Sequence, residues 1–115
     1  MALPHPIPPS LAELIARRFR AFAEPMRIRL LDGLREGEAS VNELAASVGA
    51  SQQNVSKHLA VLADVGIVAR RKDGNRVLYR IADDGVLALC EQVCGSVQTQ
   101  LAALAELVGA AEARS

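Results

Sequence analysis

Between Ser40 and Gly66 the chain punctuates itself twice, and that spacing leaves few folds open. Ser40-Val-Asn-Glu43 is a capping box, in which a serine and the acid three residues on satisfy orphaned N–H groups at a helix start. It opens a short helix through Leu44, Ala45 and Val48 that Gly49 breaks. Ser51 caps a second helix, running to about Asp64 and closed by Gly66 where a left-handed conformation is wanted. Two short helices joined by a tight, glycine-containing turn read as a helix-turn-helix.

The flanks extend this reading. Ser10 with Glu13 looks like another capping box, followed by Leu11, Leu14, Ile15, Phe19 and Phe22 near one helix face. Glu24-Pro25 ends that helix, and Pro25 starts the next one through Ile28, Leu31 and Leu34, stopping near Gly37. Past Gly66, residues 67–72 and 76–82 are strand-like, and Asp73-Gly74-Asn75 between them predicts a hairpin. Asp83 or Asp84 then caps a long helix whose stripe Val86, Cys90, Val93, Val97, Leu101, Leu104 and Val108 repeats every three or four residues. The chain is 50% hydrophobic but only 3% aromatic, so its core is built from aliphatic side chains packed between helices. The expected fold is mainly α with a small β-hairpin: a winged helix-turn-helix of about five helices and a two-stranded wing.

At 115 residues the chain is one domain in size. Pro4, Pro6, Pro8 and Pro9 predict a flexible arm over residues 1–9, with the domain spanning 10–115. The last helix is too long for so small a domain to cover, so a two-fold homodimer paired through the terminal helices is expected. No apolar run approaches the roughly 18 residues needed to span a bilayer, and the start lacks the layout of a secretory signal, which predicts a cytoplasmic protein. Cys90 and Cys94 are then expected as thiols.

A formal net charge of zero argues against nucleic-acid binding until its distribution is read. From Ser51 to Arg80 there are six bases (Lys57, Arg70, Arg71, Lys72, Arg76, Arg80) and two acids (Asp64, Asp73), a balance of +4. At about 100° per residue the helix after Ser51 puts Val55, Leu59 and Leu62 on one face and Gln53 and Lys57 on the other. Gln52, Asn54, Ser56 and His58 lie on the flanks. Amides, a hydroxyl and a cation suit a major groove of double-stranded DNA, with Gln53 and Ser56 assigned to bases and Lys57 to phosphate. Arg71, Lys72, Asn75 and Arg76 are expected together at the hairpin tip, beside the backbone or in the minor groove. His58 borders the buried face, so a helix-positioning role stands beside a DNA contact. Tyr79 is expected to pack under the wing, and the run Arg17, Arg18 and Arg20 to be solvated surface.

Three stretches resemble the ArsR/SmtB family of winged-helix repressors: Phe22-Ala-Glu-Pro-Met-Arg-Ile-Arg-Leu-Leu31, Ser51-Gln-Gln-Asn-Val-Ser-Lys-His-Leu-Ala-Val-Leu62 with Gly66-Ile-Val68, and Arg71-Lys-Asp-Gly-Asn-Arg-Val-Leu-Tyr79. The resemblance covers about Phe22 to Ile81 and implies a homodimeric repressor on an inverted-repeat operator, released by an inducer that is commonly a metal ion. The family's familiar metal sites are missing. The stretch Ala39–Leu44, where a Cys-x-Cys pair would stand, has no sulfur, and the last third of the chain has no histidine.

Cys90 and Cys94 remain, one turn apart on the final helix. A thiolate pair suits a soft metal or metalloid ion acting as inducer, or a redox sensor; cysteine is equally a small hydrophobe that packs a dimer. Two other functions fit these residues less well. A protein-binding winged helix calls for aromatics on the exposed face, where amides and cations stand instead. Catalysis calls for a nucleophile beside a base, and no histidine lies near the cysteines in sequence.

Overall fold

The computed structural model of the chain describes residues 2–114; Met1 and Ser115, the outermost residues of the expected arm and domain, lie outside them. Residues 2–8 contain neither helix nor strand. Helix α1 (Pro9–Phe22) starts on a proline, whose fixed φ suits a first helical turn and whose missing N–H would have had no intrahelical acceptor. That displaces the expected capping box. Pro8 is the N-cap, no side chain caps the helix, and Ser10 lies inside it. Of the predicted stripe only Phe22 is buried; Leu14 and Phe19 are exposed.

Helix α2 (Pro25–Gly33) is capped by Glu24, whose side chain accepts the Arg27 N–H at 2.9 Å. It stops at Gly33 rather than near Gly37, because the Leu34 N–H bonds both Leu30 and Leu31 and tightens the chain into a turn. Its buried residues are Leu30 and Leu31, with Leu34 just beyond it, while Ile28 faces outward. A two-residue strand β1 (Ala39–Ser40), too short to show periodicity in sequence, leads directly into α3 (Val41–Val48). The capping box there is complete: Glu43 N–H donates to Ser40 Oγ and Ser40 N–H to Glu43 Oε1, both at 3.1 Å.

Ser51 caps α4 (Gln52–Asp64) by accepting the Asn54 N–H at 3.1 Å. Its end is a Schellman closure: Ile67 N–H donates to the Leu62 carbonyl and Gly66 N–H to that of Ala63, each at 3.0 Å. This closure needs φ of +78° at Gly66, a conformation that strains any residue with a side chain. Strands β2 (Val68–Asp73) and β3 (Arg76–Ile81) pair antiparallel from Val68 opposite Ile81 to Asp73 opposite Arg76. The two-residue turn has Gly74 at φ +63° and Asn75 at negative φ, the pattern of a type II′ hairpin. β1 pairs with the other edge of β3, so the wing is a three-stranded sheet in the order β1-β3-β2 rather than the expected two.

Helix α5 (Asp84–Arg114) is 31 residues long and, with the residues up to Asp83 taken separately, is a compact unit of its own. Val86 is buried, whereas Val93, Val97, Leu101, Leu104 and Val108 are exposed. Among the described residues no helix is long and apolar enough to cross a membrane. The core of the first unit is aliphatic: Leu30, Val55, Leu59, Leu62 and Ile67 have no exposed surface.

Leu59→Ala is expected to cost about 2–5 kcal/mol, the transfer term plus a cavity between packed helices. Lys57→Ala, two residues away on the outer face, stays within about 0.5 kcal/mol. Urea unfolding of the two variants checks both numbers.

Candidate nucleic-acid interface

With Val55, Leu59 and Leu62 sealed in the core, the remaining faces of α4 are forced outward. Ser51, Gln52, Gln53, Asn54, Ser56 and Lys57 are all exposed, and all lie in the amino-terminal half of the helix or at its cap. Helix α4 is the second helix of the helix-turn-helix, so it is the one whose amino-terminal turns enter a major groove in this motif. The predicted readers are therefore presented as one surface.

His58 differs from its neighbours. Its side chain is 20% exposed, and its Nδ1 accepts a hydrogen bond from Arg27 Nε at 3.1 Å. Arg27 is itself fixed: its Nη1 donates to the Ala21 carbonyl at 2.9 Å, and its backbone N–H to Glu24 Oε2 at 2.9 Å. Glu24 Oε2 stands 3.8 Å from His58 Nδ1. One side of His58 thus ties α4 to the junction of α1 and α2. Arg27 carried no signal in the sequence, since only the folded chain brings it to a residue 31 positions away.

The wing departs from expectation. Side chains alternate across a strand, so Arg71 and Arg76 share one face while Arg70 and Lys72 share the other; Lys72 does not join Arg71 and Arg76 in one cluster. Arg71 is gripped in bidentate fashion by Glu38, Nε to Oε2 at 2.6 Å and Nη2 to Oε1 at 2.8 Å. Arg76 Nη2 donates to Glu43 Oε1 at 2.6 Å. Among the described residues neither Arg70 nor Lys72 makes an ion pair. Two of the three cations of the predicted tip are already neutralised within the chain. The signal missed was β1, which pairs with β3 and places Glu38 and Glu43 beside the wing.

The pairs leave their mark on the carboxylates. The hydrogen bond from Arg71 holds Glu38 below its ordinary value of 4.5, with the charges of Arg71 and Arg80 adding to it. Glu43 is lowered first by the Ser40 backbone N–H, then by the Ser40 side chain and Arg76. Tyr79 is buried under the wing as expected.

Arg17 and Arg20 of the arginine run on α1 are exposed as expected, but Arg17 and Arg18 are also tied to other elements. Arg17 pairs with Asp64 at 2.9 Å, and Arg18 pairs with Asp83 while donating to the Val65 carbonyl at 2.7 Å. These bonds secure the carboxyl end of α4, where unpaired carbonyls attract cations. On α5, Cys90 is half-buried and Cys94 exposed, and burial pushes the Cys90 thiol above its ordinary 9.0. Among the described residues no third histidine, cysteine or carboxylate completes a metal cluster with them.

A helix-turn-helix whose second helix projects amides, hydroxyls and a lysine, flanked by a hairpin wing, defines a winged-helix DNA-binding domain. A family model described as a helix-turn-helix domain matches residues 22–71. The HTH-type transcriptional regulator Rv0081 of Mycobacterium tuberculosis is 40% identical over 84% of this chain and 88% of its own. Its crystal structure superposes with a TM-score of 0.70 at 39% identity, covering 78% of this chain and 94% of that one. A protein of Streptomyces lividans named as a probable mercury resistance operon repressor is 39% identical over 73% of this chain and 71% of its own. The homodimeric winged helix-turn-helix domain of Mb0332 from Mycobacterium bovis, described as a possible ArsR-family regulator, gives a TM-score of 0.73 at 33% identity, covering 80% and 85%. The chain belongs to the ArsR/SmtB family of winged helix-turn-helix transcriptional regulators, and its function is DNA-binding transcriptional regulation.

The acid–arginine pairs predict a pH signature. Because both folded carboxylates titrate below the unfolded value, the stability they add is fully present above pH 4.5 and is lost as pH falls through their lower folded values. A Glu38→Gln, Glu43→Gln double variant, which keeps a residue able to complete the capping box, should melt below wild type at neutral pH by a gap that closes under pH 4.5. Thermal melts across pH check this, and a gap that stays constant into strong acid would assign the difference to something other than charge.

Proposed function

We propose that this chain is a homodimeric repressor that binds an inverted-repeat operator with one α4 in each of two successive major grooves. The observation that carries the reading is the exposure of Gln53, Ser56 and Lys57 on a helix whose opposite face has no exposed surface. Gln53 and Ser56 read base edges, Lys57 meets phosphate, and Ser51, Gln52 and Asn54 line the amino end of the same helix. On the wing, Arg70, Lys72 and Arg80 are the cations without an ion pair among the described residues, of which Lys72 and Arg70 share the face assigned to phosphate, while Arg71 is held by Glu38 just before β1 and Arg76 by Glu43 of α3. Asn75 sits in the turn between them. The exposed apolar stripe of α5 supports dimerisation, as does the homodimeric state of the Mb0332 domain. Such a protein works in the cytoplasm, on double-stranded DNA.

The inducer we assign is a soft, thiophilic ion taken by Cys90 and Cys94. Two thiols one helical turn apart suit such an ion, and a relative named for mercury resistance points the same way. The pair is not by itself a four-coordinate site, so a zinc-like ion would need donors from the partner chain.

Selection of a duplex from a random inverted-repeat library by the wild-type protein tests the DNA reading. On the selected duplex, Lys72→Ala should flatten the dependence of log affinity on log salt by about 0.9 per subunit, one released phosphate contact. Arg71→Ala should leave that slope unchanged. If Arg71→Ala flattens it and Lys72→Ala does not, the wing meets DNA with its other face. Gln53→Ala should relax preference at one base pair per half-site.

Titrating the bound complex with Hg(II), Cd(II), Zn(II), As(III) and an oxidant tests the inducer. Release by a soft ion from wild type but not from the Cys90→Ser, Cys94→Ser variant is expected. Equal behaviour of the two proteins toward every agent would make the cysteines packing residues of the dimer.

A further inference from the structure

The Arg27–His58 bond does more than seat a helix. An arginine guanidinium donates and never accepts, so an imidazole nitrogen that receives Arg27 Nε–H at 3.1 Å carries no proton of its own. The proton of the neutral ring then resides on Nε2. Arg27 has little freedom to turn away, since the Ala21 carbonyl holds the other end of its guanidinium at 2.9 Å and its backbone is pinned by Glu24. Glu24, at 3.8 Å, is too far from Nδ1 to hold a proton there against this arrangement.

The outer nitrogen is available. His58 is a half-buried residue, and no buried side-chain nitrogen or oxygen lacks a hydrogen-bond partner among the described residues. Within the described chain Nε2 has no such partner, so it reaches solvent. On the helical projection His58 sits about 40° from Asn54, on the flank of α4 rather than on the outward line of Gln53 and Lys57. A helix in a major groove also passes the sugar-phosphate walls, and a hydrogen-bond donor on its flank can meet them.

Resting on the DNA reading above, we propose that His58 donates Nε2–H to a DNA phosphate as a neutral imidazole, and that Arg27 is the positioning residue that keeps the proton on Nε2. No proton is gained or lost in the contact. Arg27 touches no DNA. It sets which tautomer the recognition helix offers, in the way a second partner orients a ligating histidine.

The test uses the full-length chain and the duplex selected by wild type. Long-range nitrogen–proton NMR of wild type at about pH 8.5, where imidazole is neutral, should show His58 in the Nε2–H form only. Arg27→Met should show both tautomers in exchange. A wild-type Nδ1–H form, or an unchanged single tautomer in Arg27→Met, overturns the proposal. Two further variants stand apart from any folding defect of Arg27→Met. His58→Phe should bind the duplex about tenfold more weakly, the loss of one hydrogen bond to a charged acceptor, while His58→Gln, whose amide nitrogen falls near the place of Nε2, should stay within about threefold of wild type. The salt slope of His58→Phe should equal that of wild type, because a neutral donor releases no counterion. A slope flattened by about 0.9 per subunit would mean a charged imidazolium, and wild-type affinity in His58→Phe would mean no contact; either overturns the proposal. Failure of wild type to select any duplex would instead sink the DNA reading itself.

Discussion

Every polar feature of this interface depends on one apolar constraint: α4 is nailed to the core by Val55, Leu59 and Leu62, none of which retains exposed surface. Burying each such side chain contributes about 1.5–3 kcal/mol, far more than any exposed hydrogen bond on the opposite face. The rotation of the helix about its own axis is therefore set from inside. Gln53 and Lys57 face outward because the period of the helix leaves them nowhere else to go. The caps at Ser51 and at Gly66 fix where the helix begins and ends, so both its rotation and its register along the axis are determined before any DNA is present.

Electrostatics then refines what packing has positioned. The chain is neutral overall, and on its surface acids and arginines have found each other: Glu38 with Arg71, Glu43 with Arg76, Asp64 with Arg17, Asp83 with Arg18. Exposed pairs like these are screened by solvent and do not hold the fold. Their effect is selective. They remove four arginines from the pool of free cations and leave Lys57, Arg70, Lys72 and Arg80 as the exposed bases from Ser51 to Arg80 that make no ion pair among the described residues. Glu43 shows the economy of the arrangement, since the same carboxylate oxygen closes the capping box of α3 and receives Arg76 from the wing.

The helix-turn-helix was legible in the sequence because its signals are local. Ser40 and Glu43 are three residues apart, Gly66 sits two residues past its helix, and Gly74-Asn75 closes a hairpin between adjacent strands. What was illegible is what the fold brings together from afar. The two-residue strand β1 has no periodicity to detect, yet it makes the wing three-stranded and delivers two carboxylates to it. Ser10 illustrates a local signal overridden by a stronger one, with Pro9 starting the helix two residues earlier than a Ser10 cap would. The charge balance of +4 was real as a count and misleading as a surface, because pairing partners outside the counted segment cancel part of it.

The long helix α5 poses the opposite problem to α4. The signals of its exposed stripe are repetitive rather than unique: Val93, Val97, Leu101 and Leu104 recur at three and four residues. A repetitive apolar seam binds a partner with little intrinsic preference for register. Whatever fixes the register between two copies also fixes the distance between their recognition helices, which in a two-fold dimer must match the spacing of two half-sites. Cys90 and Cys94 lie on this seam, at the end where the stripe changes from buried Val86 to exposed Val93. In the dimer proposed above, linking two thiols there would act on the seam and not on the reading helix, converting a small local change into operator spacing, the one quantity that the tightly built α4 cannot adjust by itself.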